Sequence, residues 1–242
     1  LLPENGAARV TPGQFLHLWL PNRTDPLLRR PYTVYRTHED GFDILFQVVG
    51  RGSRLLAQLD VGASVRVVWP LGGGFVLPPA GSTALVVGGG VGMASLYLLI
   101  ERLANASVPT QGLLGTRSRD YALCRSEIEA LGVPLHIATD DGSEGYHGFV
   151  TELAGDVLAA EAGAAPHVYA CGPTPMMRAL TNVVTEHAAP TQVALENRMG
   201  CALGVCLGCV VPIKTDEEVS YQRVCTEGPV FDAQDVIWEY RV

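Results

Sequence analysis

The spacing of four cysteines near one end of the chain constrains it more than any other feature. Six cysteines occur in 242 residues, and four of them, Cys201, Cys206, Cys209 and Cys225, fall within the last 42. The first three read C-x4-C-x2-C, and Cys225 follows after 15 further residues. In a reducing compartment, clustered cysteines point to a metal or redox site rather than a disulfide framework. The C-x4-C-x2-C spacing is that of plant-type [2Fe–2S] ligands. Two tetrahedral irons sharing bridging sulfides need two thiolates each. A tight loop supplies three and a later strand brings the fourth. Gly200, Gly204 and Gly208 are expected to let that loop fold and to aim backbone N–H groups at sulfur. A structural zinc site is the competing reading, although zinc favours paired C-x2-C knuckles. A tail as short as residues 197–242 needs a staple, and a metal cluster would be one. Cys124 has no partner in sequence and is expected in the core.

Hydrophobic residues make up 48% of the chain and charged residues 17%, so a large core is available and disorder is excluded. The net charge of −8 argues against nucleic acid as a partner. No apolar run approaches the roughly 20 residues that span a bilayer. The longest, residues 84–100, is interrupted by Gly88, Gly89, Gly90 and Gly92. The start of the chain has neither a basic region nor a signal-like apolar core, and it lacks an initiator Met. A cytoplasmic protein without a membrane segment is expected, with some residues missing ahead of Leu1.

Pattern divides the chain in three. Residues 1–79 carry alternating stretches at 15–20, 42–49 and 65–69, with one short helical stretch near 54–59. They predict an antiparallel barrel. Residues 80–191 alternate strands (84–87, 112–115, 135–138, 167–170) with helices (93–104, most of 118–131, 150–160, 174–187). That is the signature of a Rossmann-like parallel sheet covered by helices. Residues 192–242 open with a strand at 192–195 and form the small cysteine domain. The fold class is therefore multi-domain, β followed by α/β.

Gly88, Gly89, Gly90 and Gly92 lie between a buried strand and a helix. Such a turn lets backbone approach a pyrophosphate at a helix N-terminus, although a plain tight turn would look the same. Cys171, Gly172 and Pro173 end another strand at the same sheet edge, where Cys171 would sit near a nicotinamide. Arg117 and Arg119 follow the second strand of this region, where a 2′-phosphate would lie. In the first region, Arg30-Pro31-Tyr32-Thr33 offers a pyrophosphate-binding guanidinium, a ring for packing and a hydroxyl for a flavin nitrogen. Gly52 and Ser53 open a short helix suited to phosphate. The six histidines are scattered and none is assigned a role.

The order of these parts resembles the ferredoxin–NADP reductase superfamily over nearly the whole chain. The tail, residues 196–211 and 221–231, together with residues 139–151, is similar to the electron-transfer subunits of NAD-dependent, B-type dihydroorotate dehydrogenases. The resemblance implies FAD at Arg30, Pro31, Tyr32 and Thr33, with Leu45, Phe46 and Gln47 lining the flavin and Gly52-Ser53 at its phosphates. Gln47 stands where many relatives carry Arg. It also implies a [2Fe–2S] cluster, NAD(H) as the nucleotide, and an FMN-containing dihydroorotate dehydrogenase catalytic subunit as partner in a heterotetramer. Relatives begin with a strand before Pro12, so the N-terminus looks shortened. The rival implications are a reductase subunit of a sulfhydrogenase, sulfite reductase or transhydrogenase-type complex, a reductase feeding an oxygenase, and a zinc-holding interaction module.

Overall fold

The computed structural model describes residues 10–20, 25–161, 163–216 and 218–239. The expectation about a shortened start concerns residues 1–9 and what precedes them, and it lies outside the described residues.

The first part is antiparallel. Strands β1 (Phe15–Trp19) and β2 (Arg30–Thr33) pair, and β3 (Arg36–Thr37) and β4 (Phe42–Asp43) form a separate ribbon. Helix α1 (Arg51–Ala57) follows, and β5 (Arg66–Leu71) returns to the other side of β1. Among the described residues the ladder runs β2-β1-β5 and does not close on itself. The expected strand at 42–49 keeps only its first two residues in a ladder. Its alternation is real, because Phe42 is buried and Ile44 packs beside it. Beyond Phe46, however, side chains are exposed, with Val49 at 77%. The short helix begins three residues earlier than expected. Gly50 is extended, and the Ser53 hydroxyl accepts the N–H of Val49 and of Gly50, both at 3.0 Å. This local bond nucleates the helix start.

The second part is doubly wound. Strand β6 (Ala84–Gly89), helix α2 (Gly92–Asn105), β7 (Thr110–Thr116), α3 (Arg125–Ala130), β8 (Leu135–Thr139), β9 (Tyr146–His147), α4 (Val150–Ala160), β10 (His167–Cys171), α5 (Thr174–Glu186) and β11 (Thr191–Ala194) follow in order. All six residues of β6 are buried, as a central parallel strand covered on both faces requires. The long helix expected over 118–131 is instead a 3₁₀ turn at Arg119–Tyr121 and the short α3. Cys124 breaks it by taking a left-handed backbone, φ 62°.

The tail contributes β12 (Val210–Lys214), β13 (Val219–Arg223) and β14 (Val230–Asp232). Strand β14 lies antiparallel to β11 and extends the main sheet to the order β14-β11-β10-β6-β7-β8-β9. Val211, Ile213, Phe231 and Trp238 of the tail share one apolar core with Leu85, Val87 and Val193 of the sheet. The first and second parts are fastened as well. Leu98 of α2 enters the core of the antiparallel part. The Tyr35 and Tyr97 rings lie 4.5 Å apart, and Arg36 sits 5.0 Å over Tyr97 while donating to its hydroxyl. No helix among the described residues is long and apolar enough to cross a membrane.

Candidate functional site

The cysteine loop connects β11 to β12. It carries Cys201, Cys206 and Cys209, and Cys225 follows β13; Cys201 lies beside Cys206, and Cys209 beside Cys225, with Cys206 also near Cys209. Among the described residues, no three His, Cys, Asp or Glu side chains converge on a position for a single ion. A pair of thiolates per iron is what a diiron cluster takes. The backbone N–H groups of Leu203 and Cys206 point at the Cys201 sulfur, each at 3.4 Å, and Gly208 N–H points at Cys206 at 3.5 Å. The Leu203 and Cys206 donors hold the Cys201 thiol down at about 6. Burial pushes Cys209 up to about 11.

The loop's glycines meet the sequence expectation in part, since Gly208 aims its N–H at sulfur. Only Gly204 takes a positive φ, at 77°. The other left-handed turns fall at Ala202 and Leu207, with φ of 57° and 55°. At Gly200 and Gly208 a Cβ would make ordinary contact with the Cys206 sulfur, at 3.4 and 3.5 Å, so neither position demands glycine for space. Arg223 pins the loop from β13. It donates to the Gly204 carbonyl at 2.9 Å and pairs with Glu227, holding that carboxylate down at about 2.

A cavity of about 270 Å³ opens where the three parts meet. Pro31, Tyr32 and Thr33 of β2 line it, facing Leu45, Phe46 and Gln47. Sequence reasoning expected these six together, and the fold brings them together. The Tyr32 and Phe46 rings pack at 5.5 Å. Arg30 does not reach the cavity wall. It lies across Gly52, where a Cβ would come within 2.8 Å of its Nε. The Arg30 side chain thus packs directly on the Gly52-Ser53 turn, which Gly52 permits by having no side chain. The Ser53 hydroxyl is already engaged inside its own turn. A larger hollow of about 440 Å³ lies at the opposite edge, by Thr83, Thr110 and Pro134. Glu161 is the only ionisable residue lining it among those described. Parallel sheets bind ligands at the carboxyl ends of their strands, so the smaller cavity is the chemical one.

At that carboxyl edge, residues 88–92 pack against residues 171–173. A Cβ on Gly92 would lie 2.4 Å from the Cys171 carbonyl oxygen, and one on Gly89 would lie 2.5 Å from the Met176 sulfur. These glycines therefore admit the neighbouring turn. Gly90 differs, with φ +52° and open space where its Cβ would be. That is the point at which a ligand has room to approach the turn. The Cys171 thiol is buried beside Ser95 and Glu196 and does not line the cavity, and burial raises it. Farther along the edge, the turn after β8 holds the segment after β7. Arg119 N–H donates to Ser143 Oγ at 2.9 Å, and Asp141 N–H donates to the Arg117 carbonyl at 3.2 Å.

Comparison with known proteins fits this arrangement. Residues 196–237 match the family described as the iron-sulfur cluster binding domain of dihydroorotate dehydrogenase B. Residues 86–182 match the oxidoreductase NAD-binding domain. The dihydroorotate dehydrogenase B (NAD(+)) electron transfer subunit of Desulforamulus reducens is 39% identical over 96% of this chain and 89% of its own length. That of Bacillus caldolyticus is 42% identical over 93% of this chain and 86% of its own. The chain belongs to the family of dihydroorotate dehydrogenase B electron transfer subunits. Among solved structures, an NADH-dependent reduced ferredoxin-NADP oxidoreductase overlays with a TM-score of 0.83, at 31% identity over 96% of this chain and 81% of that one. A ferredoxin reductase in carbazole 1,9a-dioxygenase overlays at 0.65, with 25% identity over 76% and 58%.

For an electron transfer subunit of this family, the cavity has walls that sequence reasoning did not find. Ser95 of α2 lines it and donates to Thr33 Oγ1 at 3.2 Å. Glu196, Asn197 and Met199 line it from the segment that leads directly to Cys201. Burial raises the Glu196 carboxyl. A glutamate after a strand carries no motif of its own, and Ser95 looks like any helix residue. Only their position behind a hydrophobic strand and beside a glycine turn could have drawn attention to them.

Proposed function

We propose that this chain relays electrons between the FMN of a dihydroorotate dehydrogenase catalytic subunit and NAD⁺, by way of a [2Fe–2S] cluster and FAD, in pyrimidine biosynthesis. The observation that carries the reading is the segment after β11. Met199 lines the cavity, and Cys201, two residues on, is the first thiol of the loop. One short stretch of backbone thus joins a flavin-sized cavity to a four-thiol site.

When bound, FAD exchanges single electrons with an iron–sulfur centre and a hydride with nicotinamide. The protein's part is to bind and orient. Cys201 and Cys206 would hold one iron, and Cys209 and Cys225 the other. Tyr32 and Phe46 flank the ring site, with Pro31 and Leu45 completing its apolar wall. The Thr33 hydroxyl, already bonded to Ser95, and the Gln47 amide offer polar contacts to ring heteroatoms. Arg30 and the Gly52-Ser53 turn would hold the pyrophosphate. Residues 88–90 and Gly92, with Gly172 and Pro173, form the nucleotide edge, and Cys171 packs beneath it. The three domains are residues 1–79, 80–191 and 192–242, and the cellular site is the cytoplasm.

Co-expression with the catalytic subunit tests the reading. A heterotetramer carrying flavin and iron, and reducing NAD⁺ on addition of dihydroorotate, is expected. A yellow-brown chain that binds NADH yet forms no such complex would favour the reductase of a different assembly, the direction in which the 0.83 overlay points. A colourless chain, free of iron and flavin after anaerobic preparation, would overturn both.

A further inference from the structure

We propose that His17 is a positioning residue that fixes the cysteine loop relative to the flavin cavity; this rests on the cofactor assignment above. Strand β1 reads Phe-Leu-His-Leu-Trp, and its alternate residues serve two purposes. Leu16 and Leu18 enter the core of the antiparallel part. Phe15 and His17 point the other way, since side chains two apart share a face. Phe15 lines the flavin cavity and belongs to the core that holds Ala202, Cys209 and Cys225. His17 is only 1% exposed, and it stands opposite Pro31 on one side and Val68 on the other.

Its ring is unusually placed for a strand that is otherwise apolar here. Neither ring nitrogen has a hydrogen bond of regular geometry. The backbone carbonyls of Arg29 and Cys201 face it. A leucine would fill the same volume without burying two polar nitrogens. Buried polar atoms are expected to find partners, and a neutral imidazole has one N–H to give. The Cys201 carbonyl is an acceptor that also belongs to the first cluster thiol. Two positions along a strand span roughly 7 Å, and β1 holds an unbroken register with β2 from Phe15 to His17, while its ladder to β5 shifts over the same interval. Strand β1 therefore carries a wall of the flavin cavity and, one side-chain repeat later, the contact to the loop. The approach of the Cys201 carbonyl to the His17 ring makes that strand the ruler between the two sites. His17 holds no iron and transfers no proton in this role.

The test uses the holoprotein with its iron and flavin content measured. His17→Leu is expected to retain both cofactors and an unchanged flavin potential. Its cluster should show an altered electron paramagnetic resonance signal and a lower midpoint potential, because the N–H dipole no longer favours added negative charge. Transfer from NADH-reduced flavin to the cluster, followed by stopped flow, should slow about tenfold. A fully loaded His17→Leu protein with wild-type signal, potential and rate overturns the proposal. If that variant does not fold, His17→Asn and His17→Gln decide, since their amides place an N–H near one or the other ring nitrogen. Restoration by one and not the other supports the proposal, and identical behaviour of the two overturns it. Wild-type protein lacking iron or flavin would refute the cofactor assignment instead, which separates the two failures.

Discussion

Gly92→Ala tests the close packing of the nucleotide edge. Gly92 is the first residue of α2, and a methyl group there would point at backbone. The nearest atoms are the Cys171 carbonyl oxygen at 2.4 Å, the Cys171 carbonyl carbon at 2.7 Å and the Gly172 Cα at 2.9 Å. Ordinary contact begins at 3.4 Å, so the methyl is about 1 Å short of room. No flexible side chain can give way, because all three are backbone atoms, of Cys171 at the end of β10 and of Gly172 after it. Alanine gains about 1 kcal/mol over glycine in helix propensity. Overpacking costs typically about 1–3 kcal/mol, and contact with fixed backbone puts this site at or above the upper end. The net expectation is a loss of about 2 kcal/mol, seen as a melting temperature lower by roughly 4–8 °C for a chain of this size. Parting α2 from the β10 turn also disturbs the nucleotide edge, so the KM for NADH should rise in flavin reduction assays. Gly155→Ala is the control. It lies in α4, and its added methyl would meet only the Val183 Cγ1, at 3.6 Å. It should gain stability by propensity alone, up to about 1 kcal/mol. If Gly92→Ala melts as high as Gly155→Ala and keeps the wild-type KM, then the glycine turn is not held open by its neighbour and the packing argument fails.

Four other expectations follow from the site. Cys206→Ser should remove the iron–sulfur absorbance and stop transfer to the partner while NADH still reduces the flavin; loss of both cofactors in a folded protein would mean they are misplaced. Removing the Thr33–Ser95 bond with Thr33→Val should weaken flavin binding about fivefold, as one lost neutral hydrogen bond does, measured by flavin fluorescence on dilution. Arg223→Ala frees the Gly204 carbonyl and Glu227, so iron should be lost to a chelator faster; the pair is about a third exposed, at 37% and 33%, so screening keeps the stability cost small. Burial raises the Glu196 carboxyl in the folded state above its ordinary 4.5. An acid shifted this way binds its proton more tightly when folded, so stability falls as pH rises through the window above 4.5. Glu196→Gln should therefore melt higher than wild type at pH 7, and the difference should vanish below about pH 4; a constant difference across pH would assign the effect to packing.

The strands and helices of the parallel part were legible because their burial follows a simple rule. A central parallel strand is apolar on both faces, and 84–87 reads so. The antiparallel part was legible only as far as alternation meant pairing. Residues 44–49 alternate too, yet there the alternation separates a packed face from an open one without a ladder partner. The break at Cys124 left no mark, because its left-handed backbone falls on a residue that carries no turn signal. The cysteine spacing singled out the four thiols but not what shapes their loop. Positive φ falls at Ala202 and Leu207, which no composition rule selects.

What joins the sites is less visible in sequence than the sites themselves. Phe15 and His17 belong to a strand in the first fifth of the chain, and Glu196 and Met199 to the last fifth. Each looks ordinary in its own stretch. The ladder pairing of β1 with β2 sets Phe15 against Thr33 and His17 against Pro31, so the R-P-Y-T segment and the wall facing the cysteine loop share one register. A slip of that pairing by one residue would turn Phe15 and His17 into the apolar core and Leu16 and Leu18 towards the loop. The cysteines would keep their spacing and lose their neighbour. The distance between the two cofactor sites is therefore a property of strand register, set by the alternation of β1 and independent of the motifs on either side.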